Sequence, residues 1–133
     1  MNGMDIRAVD TNRPDVVAEV RAAFADYEDA LLANDTAEMD LWFWDDPRTV
    51  RYGIGESLYG HREIARWRAG ASPVPETRRI ETSVITTFGD SYAVVDCEFT
   101  NGDDPGRGRQ SQTWVRFDIG WKIVSAHVSV VDR

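Results

Sequence analysis

A chain of 133 residues, with 42% apolar and 29% charged side chains, supports one compact core and leaves little room for a second. Its 23 acidic against 15 basic side chains give a net charge of −8, which argues against nucleic acid or an anionic membrane surface as the main partner, although a local arginine cluster still permits a small anion. The single cysteine, Cys97, excludes an intramolecular disulfide, no apolar run reaches membrane-spanning length, and a cytoplasmic location is the expectation.

The opening MNGMDIRAVDTN lacks the apolar segment of a signal peptide and reads as a flexible leader over 1–13, with a single domain over 14–133. Pro14 suits the first turn of a helix, and Val17, Val20, Phe24, Tyr27 and Leu31 follow at helical spacing as one apolar stripe. Asn34 and Asp35 mark a turn into a short second helix, halted by Pro47. Residues 49–52 form a short strand, and YGHREIARWRAG forms a third helix bounded by Gly60 and Gly70. Beyond it, 78–87, 92–100, 109–118 and 121–131 carry strand composition and are joined by links containing glycine. Helices followed by an antiparallel meander give an α+β domain, with N-terminal helices packed on one face of a strongly curved antiparallel sheet.

Arg51 interrupts the apolar run of its strand. Alternation sets Thr49, Arg51 and Gly53 on one face and Val50, Tyr52 and Ile54 on the other. Arg51 then either faces solvent on an edge strand or lines a cavity, where burial demands an anionic partner. Glu56 is a partner for the empty state and a substrate carboxylate for the working state, because a guanidinium offers carboxylate a two-pronged fork that lysine lacks. Gly53 and Gly55 provide a bulge or sharp bend that delivers Glu56; with no GxGxxG and no Walker lysine they do not make a phosphate loop. In the third helix Ile64, Trp67 and Arg68 share a face, which makes Trp67 a core residue and Arg68 a second pocket arginine.

The last strand, WKIVSAHVSV, alternates Trp121, Ile123, Ser125, His127 and Ser129 against Val124, Ala126, Val128 and Val130. The mixed set suits a cavity, so His127 is either a hydrogen-bonded strand histidine or a proton carrier flanked by Ser125 and Ser129. In GRQSQTWVR, Gln110, Gln112, Trp114 and Arg116 share a face, and the glutamines either bond across strands or fix an amide or carboxylate. Only two histidines, His61 and His127, are present, with no HxxxH or CxxC spacing, so neither a metal nor a cofactor is expected. Cys97, between Asp96 and Glu98, is disfavoured as a thiolate, and no G-x-S-x-G elbow is present.

Four segments in order, TVRYGIGESLYG, TTFGDSYAVVDCEF, GRQSQTWVR and GWKIVSAHVS, resemble the AtzH-like family, which includes HpxZ-type proteins and has the NTF2-like (SnoaL-like) cone fold. The resemblance covers roughly residues 14–131. It implies a small homodimeric cone whose cavity takes a small anionic urea derivative. The AtzH member is a decarboxylating amidohydrolase acting on dicarboxyurea, and HpxZ-type members are associated with oxalurate and purine-nitrogen catabolism. The family motifs fall on Arg51, Tyr52, Gly53, Glu56, Arg68, Gln112, Trp114, His127 and Ser129.

The expected function is hydrolysis or decarboxylation of a small carboxylated urea or amide. Arg51 and Arg68 would bind carboxylate, Tyr27 and Gln112 would orient the amide, Trp114 and Ser129 would complete the site, and His127 or Glu56 would move protons. Arginines and hydroxyl donors would stabilise developing negative charge without a metal. The alternative is a non-catalytic ligand-binding or accessory subunit of an amidase, since the cone fold hosts both. A ketosteroid-isomerase type of activity is a distant third, because it needs a carboxylate base in a large apolar cavity.

Overall fold

The computed structural model describes residues 9–131. The elements run α1 (Pro14–Leu32), α2 (Thr36–Trp42), β1 (Val50–Tyr52), β2 (Ser57–Tyr59), α3 (His61–Gly70), β3 (Arg78–Phe88), β4 (Tyr92–Asn101), β5 (Arg107–Phe117) and β6 (Gly120–Val131). Most of the leader expected over 1–13 lies outside the described residues.

Pro14 opens α1, and its buried stripe is Val16, Val20, Ala23, Phe24, Tyr27 and Ala30, entering the core at Val16 rather than Val17. The turn after it places Asn34 at φ 52°, and Asp35 caps α2 by accepting the Glu38 N–H at 3.1 Å. The second helix ends well before Pro47. Phe43 turns extended (φ −93°, ψ 141°), buries its ring to 2% exposure and bridges Ile123, so tertiary contact ends the helix before proline can.

The sheet has the order β2-β1-β6-β5-β4-β3. Strands β3 to β6 form the expected antiparallel meander. Strand β1 adds to β6 in parallel, and β2 folds back on β1 as a hairpin. The sequence reading missed β2, which is three residues long with only Leu58 buried, too short for an alternation to show. The helices pack on one face of the curved sheet, where Val20, Phe24, Met39, Phe43, Ile64, Val95, Trp114 and Ile123 meet in the core. At the far end of edge strand β3, Asn12 donates its N–H to the Thr87 carbonyl at 3.0 Å and accepts the Thr87 N–H on Oδ1 at 2.9 Å.

One local irregularity redirects half of β6. Its pairing with β5 runs Thr113 to Ser125 and then Trp114 to Ile123, which leaves Val124 as the extra residue of a β-bulge. The bulge reverses the phase of the strand. Trp121, Ile123 and Ala126 turn inward and are buried, while Ser125 and His127 are exposed on the outer face. The five residues expected on one face are therefore divided between two.

A buried ion pair joins helix to sheet beside the core. Arg78 donates to Glu28 through Nε (3.1 Å) and Nη2 (3.2 Å), and its guanidinium lies 3.9 Å from the Phe99 ring centroid. Loss of either partner would leave the other as an uncompensated buried charge. This pair anchors the α1 turn that carries Tyr27.

Candidate functional site

Arg51 pairs in register with Leu58 on one side and Ala126 on the other, both buried, so its side chain enters the helix-covered face. Its guanidinium lies 4.4 Å from the Trp67 ring centroid, a cation–π arrangement that flattens it against α3. Nη1 donates to Glu56 Oε2 at 2.6 Å. The bend that delivers Glu56 is a tight turn closed by the Gly53 N–H on the Glu56 carbonyl at 2.9 Å. A Cβ at Gly53 would collide with the Glu56 carboxylate and stand 2.8 Å from Arg51 Nη1, so it is close approach of this ion pair, not a special dihedral, that favours glycine here.

Arg68 reaches the same space from α3. It is 5% exposed, donates through Nη1 to Asp40 Oδ1 at 2.6 Å, and lies over the Phe43 ring at 4.9 Å. The Asp40 carbonyl is met by His61 Nε2 at 2.7 Å; a carbonyl only accepts, so this nitrogen carries the proton. Asp40 is thereby held at both its main chain and its side chain. Tyr27 comes from α1, 4% exposed, its ring edge-on to Phe43 at 5.9 Å.

Arg51, Arg68 and Tyr27 line one pocket of about 90 Å³, together with Asn34, Trp67 and Ser72. Glu56 and Asp40 are not among its lining residues; each backs an arginine from outside the pocket. The structure thus brings Tyr27, Arg51, Glu56 and Arg68 together.

It separates the other four predicted residues from them. Because of the bulge, His127 and Ser129 sit across the sheet, where they line a depression with Arg109 and Ser111. There His127 is edge-on to Tyr52 at 5.7 Å and Ser129 accepts from Arg109 Nε at 3.3 Å. Gln112 and Trp114 are 2% and 0% exposed and are spent on each other, the indole Nε1 donating to the amide oxygen at 3.0 Å. Trp114 also meets Trp42 edge-on at 5.9 Å, which makes it core rather than pocket wall.

The sequence reading missed Asp40 and the part Trp67 plays as a wall of the pocket. Nothing local marks Asp40, whose bond to Arg68 spans 28 residues. Helical spacing alone cannot tell a wholly buried tryptophan from one with an arginine on its face.

A larger depression of about 520 Å³ opens between α1, α2 and the β5–β6 turn, but its two indoles already donate to Glu38 and Glu19, at 3.1 and 2.9 Å. Among the described residues no group of His, Cys, Asp and Glu is arranged to hold a metal. Cys97 is buried beneath the sheet, and burial first, then the Glu28 charge, pushes its thiol up to about 11. No helix of the described residues is long and apolar enough to cross a membrane.

Three helices on one face of a six-stranded curved sheet, enclosing a small pocket, define an NTF2-like cone. An NTF2-like superfamily protein from Salmonella enterica serovar Typhimurium LT2 shares this fold at a TM-score of 0.73 and 19% identity, over 90% of this chain and 93% of that one. Within that class, the AtzH-like family model matches residues 9–133, and the chain belongs to the AtzH-like family. A cystatin-like fold protein from Burkholderia xenovorans LB400 is 48% identical, with a TM-score of 0.92 over 95% of this chain and 99% of that one. A DUF3225-family protein from Pectobacterium atrosepticum SCRI1043 is also 48% identical, with a TM-score of 0.89 over 92% and 96%. No curated protein matches the chain.

Proposed function

We propose that this protein cleaves a small carboxylated urea or amide, by hydrolysis with or without decarboxylation, in nitrogen catabolism. The observation that carries the reading is the convergence of two arginines from different elements with a buried tyrosine on one pocket of about 90 Å³. Membership of the AtzH-like family supports it. The guanidinium donors left free by Glu56 and Asp40 hold the carboxylate. The Tyr27 hydroxyl then meets the neighbouring carbonyl oxygen and stabilises the negative charge that builds there as water adds to the carbonyl carbon; the C–N bond then breaks and the departing nitrogen takes the proton given up by that water. Glu56 acts as a positioning residue that holds the Arg51 fork against Trp67. His127 has no part in this scheme, since it lies across the sheet.

The test is release of ammonia and carbon dioxide from dicarboxyurea, allophanate and oxalurate. Wild type is expected to turn over at least one of them. Arg51→Met should lose about 100-fold in kcat/KM, as expected for truncating one partner of a buried charge contact. Tyr27→Phe should lower kcat with little change in KM. A second reading, a ligand-binding or accessory subunit, is favoured by one observation: among the described residues no histidine, cysteine or carboxylate lines the pocket. Wild type that binds one of these compounds but turns over none establishes that reading instead.

The working form in this proposal is a homodimer. The helices leave the outer face of the sheet open, where Asp96 and Glu98 on β4 lie beside Arg107 and Arg109 on β5, Glu98 and Arg107 already paired at 3.5 Å, with Arg79 on β3 and His127 on β6. A two-fold axis lying in the interface, along the strands between β4 and β5, sets the acidic positions of one copy on the basic positions of the other. The free Cys97 fits a reducing, cytoplasmic setting.

A further inference from the structure

We infer that the pocket selects a ligand with one carboxylate and a neutral amide end over a ligand with two carboxylates. The inference rests on the reading of this pocket as an anion site and deepens it. Two guanidiniums face the ligand, and each already holds a carboxylate: Arg51 with Glu56 at 2.6 Å, Arg68 with Asp40 at 2.6 Å. The arginine side chains are only 14% and 5% exposed and their carboxylate partners 23% and 26%, so water screens the two guanidiniums poorly. The other polar side chains of the wall, Tyr27, Asn34 and Ser72, are neutral.

The empty pocket is therefore balanced, and a first carboxylate gains charge-assisted hydrogen bonds from the free guanidinium N–H groups. A second carboxylate in the same small volume finds no further cation among the described lining residues and repels the first. Helix geometry works in the same direction. The C-terminal ends of α1 and α3 both reach the pocket, through Leu31 and through Ala71, and helix C-termini carry partial negative charge. The neutral end of the ligand is left to Tyr27, Asn34 and Ser72, whose groups can donate to a carbonyl and accept from an amide.

Malonamate and malonate provide a matched pair of probes, equal in size and differing by one charge. Titration calorimetry near pH 8, where both are fully ionised, should show wild type binding malonamate about tenfold more tightly than malonate. Glu56→Gln and Asp40→Asn each remove one negative charge from behind the wall, and each should shift the preference towards malonate by about tenfold. Gln and Asn keep the size and a hydrogen-bonding oxygen, and a thermal melt identifies either variant that has lost its fold. Malonate bound as tightly as malonamate by wild type, or a preference unchanged in both folded variants, overturns the inference. Arg51→Met separates this failure from failure of the site itself. If it loses both ligands while malonate is preferred by wild type, only the single-carboxylate inference falls. If wild type binds neither ligand, or Arg51→Met binds both as wild type does, the anion-site reading falls and takes the inference with it.

Discussion

A methyl group on Gly53 would occupy the point at which the Glu56 carboxylate meets Arg51. Gly53 is not in the left-handed region, so alanine is acceptable to the backbone and the damage is confined to the ion pair. Gly53→Ala is expected to weaken malonamate binding about tenfold while the protein still melts cooperatively; calorimetry and a thermal melt together check this. Cys97 illustrates the opposite case, a residue whose chemistry is suppressed. Its thiol is raised in the folded state by burial, so the neutral form contributes stability that is complete below the unfolded value. That contribution is lost as pH climbs from about 9 towards about 11. Native protein should resist an aromatic disulfide reagent near pH 8 and react once unfolded, and Cys97→Ala should flatten the fall in stability over the alkaline window.

At the scale of elements, the bulge at Val124 decides which chemistry faces which side. Deleting Val124 would restore strict alternation and force Trp121 and Ile123, now 7% and 0% exposed, out of register with the core. A loss of about 3–5 kcal/mol in urea unfolding is expected, comparable to emptying a large core position. The same bulge shows where sequence reading stops. The α1 stripe and strands β3 to β6 were legible because they are long and periodic. The early end of α2 was not, because it is set by Phe43 reaching Ile123, and β2 was not, because three residues carry no period. Arg51 and Arg68 could be placed because each lies on an element whose phase is regular. His127 was placed on the wrong face because one extra residue upstream changes parity, and no composition signal marks that residue. Asp40 was invisible for another reason: its partner belongs to a different helix.

For the whole molecule, the charged outer face predicts how copies associate. Asp96→Lys or Arg109→Glu alone should lower the dimer fraction in sedimentation at micromolar concentration. The two changes together should recover much of it, because the charges at positions 96 and 109 then exchange sign and attract again. A dimer fraction untouched by either reversal would remove this face from the interface. The sheet also has a free margin with its own consequence. Strand β3 is long and lies at the edge, its pairing shifts register near Glu81, and its far end is tied down by Asn12 through Thr87. Between these two guards runs Thr-Ser-Val-Ile-Thr, residues 82–86, uncharged and rich in β-branched side chains, with Val84 55% exposed. Backbone groups left unpaired along such a stretch are a template for a foreign strand. The liability of this protein to misassemble at high concentration is therefore concentrated in five residues, and a single lysine at Val84 is the economical safeguard.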